Sequence, residues 1–64
     1  MATKTDLQAF IKRERTNINS IYAASEAYSL QGNESMANEL ETAAKACEKL
    51  INRLEKLIND VPTY

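Results

Sequence analysis

From Met36 to Val61 the apolar residues recur four and three apart without a break: Met36, Leu40, Ala43, Cys47, Leu50, Leu54, Leu57 and Val61. That alternation is the heptad seam of an α-helix. Ala37, Ala44, Ile51 and Ile58 lie one residue further on. They widen the seam into a face of the kind a bundle helix buries. The first half of the chain repeats the theme more faintly, with Leu7, Phe10, Ile11, Ile18, Ile21, Tyr22, Ser25 and Tyr28 on one side of a helix. Its pattern skips a turn between Ile11 and Ile18, and Thr16-Asn17-Ile18-Asn19-Ser20 are mediocre helix formers. The pattern predicts one helix over about 4–31, with room for a kink near 16–20. A break there, giving three helices, is the alternative.

The ends of the pattern carry caps. Thr5 followed by Gln8 reads as a capping box, with Asp6 in the first turn favouring the helix dipole, and Thr3 competes as the cap. Gln31-Gly32-Asn33 is the clearest punctuation. Gly32, the one glycine, suits the left-handed position that ends a helix, and Asn33 can cap the next helix at once. The second helix is expected over about 34–60, because Pro62 cannot continue it. So short a link makes the helices antiparallel neighbours. The fold class is therefore all-α, an antiparallel αα-hairpin forming one domain over residues 1–64.

Ala24, Ser25, Ala27, Ala37, Ala43 and Ala44 keep the surfaces near the turn small. The stretch from Ile21 to Ala44, with Ala27-Tyr28, Gln31-Gly32-Asn33, Ala37 and Ala44, resembles one helical hairpin of a tetratricopeptide repeat. It departs from that family at Glu41, where a large apolar residue is usual. The resemblance implies hairpin geometry.

Length then changes the picture. A single core in a chain of 64 residues rarely supplies more than about 3–5 kcal/mol without a staple. Cys47 is the one cysteine and there is no histidine, so neither an internal disulfide nor a thiolate–imidazole metal site is expected. Association is the remedy left. Two hairpins forming a homodimeric four-helix bundle would cover the wide apolar face. The expected oligomer interface is Ile11, Ile18, Tyr22, Leu50, Ile51, Leu54, Leu57 and Ile58. Covering several such side chains gains on the order of 10 kcal/mol before entropic costs.

Charge bears on orientation. Residues 16–44 hold Glu26, Glu34, Glu39 and Glu41 without a lysine or arginine, and the two chain ends hold all eight cations. Antiparallel packing of two hairpins would set acidic tip against basic base. The overall net charge of −1 offers no general attraction to nucleic acid.

Candidate chemistry is sparse. Glu14 falls within the apolar face, and a buried carboxylate needs a partner or a proton. Arg53 is the expected partner, in a pair that fixes register. Lys45, Lys49, Arg53 and Lys56 form one ridge, with Lys12, Arg13 and Arg15 at the same level on the first helix. Lys12, Arg13, Glu14, Arg15, Lys49, Arg53 and Lys56 are the candidate ligand or partner contacts. Glu41, Glu48 and Glu55 adjoin them and would repel phosphates. Tyr22 and Tyr28 are expected as core or dimer contacts, Cys47 as an inert core thiol, and Tyr64 in a frayed tail. No residue pattern points to catalysis, and neither cofactor nor metal is expected. The lone inward cysteine suits a reducing compartment, and no long apolar run or signal-like start is seen, so a cytoplasmic location without membrane contact is expected. The first functional expectation is a non-catalytic protein-binding module. An adaptor, chaperone-like factor or inhibitor of the kind that phages and mobile elements encode would fit. The alternative is nucleic-acid or nucleotide binding through the basic ridges.

Overall fold

A computed structural model describes residues 3–60. Two helices, α1 (Lys4–Leu30) and α2 (Glu34–Asn59), pack against each other as a hairpin. The rod they form measures 51 × 15 × 15 Å. The expected outcomes at Val61, Pro62 and Tyr64 lie outside the described residues.

Helix α1 starts two residues earlier than the box at Thr5 requires. Thr3 is the cap: its Oγ1 accepts from Asp6 N at 3.1 Å, and its own N–H donates to Asp6 Oδ2 at 3.1 Å. An aspartate thus performs the return half of a capping box, the role expected of Gln8. The doubtful stretch at 16–20 is regular helix. Its hydroxyls bond back to the helix that carries them, Thr16 Oγ1 to Lys12 O and Ser20 Oγ to Thr16 O, each at 3.2 Å. They therefore do not offer the backbone an alternative geometry. Ile18, buried in the same stretch, pins it to α2. Helix α1 is continuous.

The turn matches its sequence signal. Gly32 has φ +84°, and the carbonyls at the end of α1 are satisfied by Asn33 N to Tyr28 O at 2.9 Å and Gly32 N to Ser29 O at 3.0 Å. These are the two bonds of a Schellman cap. Asn33 Oδ1 then accepts from Met36 N at 3.2 Å and begins α2. Ser29 Oγ donates to Glu34 Oε1 at 2.7 Å, strapping the last turn of one helix to the first of the next.

The core is one line of contact per helix. Ile11, Ile18 and Ser25, spaced by seven, meet Ala37, Ala44, Ile51 and Ile58, also spaced by seven. Small residues hold the turn end and isoleucines the open end. At the turn end the approach is close enough for Ser25 Oγ to donate to Ala37 O at 2.7 Å, a buried bond between helices. Leu7, Ile21, Tyr22 and Leu54 pack along the sides of this line.

Two expectations are corrected here. Ile11, Ile18, Ile51 and Ile58 were assigned to an interface between chains, but the hairpin buries them itself, Ile58 to 3% exposure and Ile51 to 8%. They sit on the contact line between the helices, not on the flank. Cys47 was assigned to the core and is exposed. It belongs to the heptad seam, which lies about 60° round α2 from the contact line.

Gly32→Ala should cost about 1–2 kcal/mol in urea denaturation, because a Cβ at positive φ is strained. Nothing lies within 4 Å of the added carbon, so the cost should be conformational, not steric. Ser25→Ala should cost about 1 kcal/mol through its lost hydrogen bond.

Candidate functional site

With one contact line fixed on each helix, the remaining surface divides into two flanks. At about 100° per residue, Arg15, Asn19 and Glu26 on α1 lie to the same side as Glu41, Asn52 and Glu55 on α2. The contacts agree. Arg15 Nη2 reaches Glu55 Oε1 at 3.1 Å and Asn52 Oδ1 at 3.0 Å. Nearer the turn, Tyr22, Glu26, Ser29, Glu34, Asn38 and Glu41 line a shallow groove on this side. This flank is polar, with its acidic end at the turn.

The opposite flank is apolar and open. Helix α2 contributes Met36, Ala43, Cys47, Leu50 and Leu57, all exposed, with Leu40 and Leu54 half-buried behind them. Leu50 keeps 61% and Leu57 60% of its surface exposed. Helix α1 adds Phe10 (43% exposed), Ile21 and Tyr28 on the same side. A monomer usually keeps such residues scattered, and a continuous row of them marks a contact surface. This open flank is the strongest candidate site on the chain.

Of the predicted interface, Leu50, Leu54 and Leu57 belong to the open flank. Tyr22 is half-buried against the core on the polar side. Met36, Ala43, Cys47 and Phe10 belong to the same flank and were not among the expected interface residues. For Met36, Ala43 and Cys47 the signal was the heptad seam itself, whose outer members turn away from α1; for Phe10 it was the apolar stripe of α1.

Glu14 is half-buried at the inner edge of the open flank and makes neither a hydrogen bond nor an ion pair among the described residues. The expected pair with Arg53 is absent because Arg53 lies nine residues past Ala44, about 180° round α2 and facing away from α1. The pairing across the hairpin belongs to Arg15, the neighbour of Glu14. Half-exposed on both sides, that ion pair adds at most about 1 kcal/mol.

The basic residues share a level but not a face. Arg13, Lys49, Arg53 and Lys56 are exposed on the outer backs of the two helices, and Lys12, one heptad before Asn19, is exposed on the polar flank. Lys45 is engaged by Glu41 at 3.2 Å and Arg15 by Glu55. They do not converge on one phosphate-sized spot. Among the described residues no group of three or more Cys, Asp or Glu could hold a metal, and no helix is long and apolar enough to cross a membrane. Compared with protein-family models, curated proteins and solved structures, the chain matches none of them.

Replacing Glu14 by leucine should raise thermal stability, by about 1–2 kcal/mol, since an unpaired carboxylate is removed from an apolar setting. The reverse result, a destabilised Glu14→Leu variant, would show that the carboxylate has a partner and sets register.

Proposed function

We propose that the protein is a small non-catalytic protein–protein interaction module whose working form is a helical-bundle homo-oligomer. In that form it serves as an adaptor, chaperone-like factor or inhibitor that occupies the surface of another protein. One observation supports this reading above the rest: the open flank, a row of leucines, Met36, Cys47 and Phe10 that the hairpin leaves in water. A chain of this size lacks the core to stand alone comfortably, and its own flank is the nearest apolar surface available to it. Self-association then leaves the polar groove and the charged outer backs as the surface offered to others.

Sedimentation velocity at low micromolar concentration tests the self-assembly. The expected outcome is a dimer or larger species, converted to monomer by Leu50→Glu with Leu57→Glu. A folded monomer of the unaltered chain would overturn it. Retention on heparin separates the nucleic-acid alternative. The protein-binding reading expects elution at low salt, whereas tight, salt-sensitive retention abolished by Lys49→Glu with Arg53→Glu would favour phosphate recognition.

A further inference from the structure

The charge at the two ends of the hairpin, and the place of Cys47 at mid-length of α2, say how a second copy sits on the open flank. The geometry points to a two-fold dimer in which the hairpins run antiparallel, α2 packs on the partner's α2, and the axis passes beside Cys47. This deepens the self-assembling reading and rests on it.

Cys47 stands at mid-length of α2, and the seam is arranged about it. Leu40 lies seven residues before it and Leu54 seven after; Ala43 precedes it by four and Leu50 follows by three; Met36 precedes by eleven and Leu57 follows by ten. A two-fold axis across the rods at Cys47 therefore sets Leu40 opposite the partner's Leu54 and Met36 opposite the partner's Leu57. Ala43 meets the partner's Leu50, small against large, which is how facing positions fill a core without voids. Among the described seam residues, Met36 to Leu57, each then has a counterpart.

Charge favours the same arrangement. The turn end carries Glu26, Glu34, Glu39 and Glu41 with no cation, whereas the open end carries all eight cations against five carboxylates. Antiparallel hairpins place unlike ends together. Hairpins related by an axis along the rods would stack acid on acid and base on base. The available area is adequate for a second copy. A flank about 40 Å long, on a rod 15 Å across, gives roughly 600 Å² per copy and roughly 1,200 Å² for the pair, the lower bound of a stable interface.

The two arrangements differ sharply at Cys47. With antiparallel hairpins the two copies of α2 face each other and the thiols meet at the axis. With parallel hairpins α2 faces the partner's α1, and the two copies of α2 are diagonal, about 14 Å apart for a normal helix spacing of about 10 Å. A disulfide needs Cα atoms within about 7 Å.

The experiment treats the intact chain with diamide, an azo oxidant that takes two electrons and two protons from a pair of thiols. Non-reducing electrophoresis reads the products, and sedimentation is run in parallel. Nearly complete Cys47–Cys47 cross-linking is expected, abolished in Cys47→Ser. In the Cys47→Ser background, Leu57→Cys should not cross-link with itself, because the two positions sit about 30 Å apart across the axis. Mixed with Met36→Cys in the same background, it should form a heterodimeric disulfide. Raising sodium chloride from 50 to 500 mM should weaken the dimer by about threefold, as screening removes the attraction between unlike ends. A dimer that cross-links through Leu57→Cys alone, leaves Cys47 reduced, or tightens with salt would overturn the antiparallel arrangement and leave self-assembly standing. A monomer by sedimentation would overturn both.

Discussion

Two packed helices can hide only one line of residues each, and this constraint shapes the molecule. Here the line is strict: Ile11, Ile18 and Ser25 against Ala37, Ala44, Ile51 and Ile58, all spaced by seven. A seven-residue repeat keeps successive side chains on nearly the same stripe of a helix, so the contact persists along the rod. Everything one step to either side is left half in water. On one side the sequence supplies Arg15, Glu26, Glu41, Asn52 and Glu55, which are content there. On the other it supplies leucines, which are not.

The turn makes the contact line possible. Gly32 at φ +84° lets α1 end in a tight cap, and Asn33 starts α2 without a spacer. Such a connection holds the helices close at one end, where only small side chains fit between them. Ser25 and Ala37 occupy that end, and the buried bond from Ser25 Oγ to the Ala37 carbonyl needs that proximity. Farther from the turn Ile18, Ile51, Ile11 and Ile58 fill the gap. Side-chain size thus increases along the core from the turn to the open end.

Both helices, the turn and the cap at Asn33 were legible in the sequence because each rests on a local signal. The early start of α1 was half legible, since Thr3 was visible as a competing cap but Asp6 was read only for its charge. The inward face was harder to read. The heptad seam and the contact line are adjacent stripes on α2, both apolar, and periodicity alone does not say which one α1 covers. The seam repeats by seven as strictly as the contact line does, through Met36, Ala43, Leu50 and Leu57, so spacing did not separate the two stripes. The same angular sensitivity explains Glu14 and Arg15. One residue is about 100° of helix, so shifting the expected salt bridge by one position moved it from the open flank to the polar one.

Glu14 also limits what can cover the open flank. A carboxylate among leucines resists burial by any surface that neither supplies a donor nor leaves room for water. The flank is therefore less sticky than its leucines alone would make it, which matters for a chain whose net charge of −1 offers little repulsion between copies. Symmetry completes the restraint in the proposed dimer. A two-fold arrangement centred on Cys47 uses the same patch on both partners, so pairing consumes both flanks at once. A staggered arrangement would leave part of each flank uncovered and invite a third copy, and growth would not stop. Cys47 is the middle one of the described seam residues, Met36 to Leu57, so a pair centred there covers all of them and leaves no overhang.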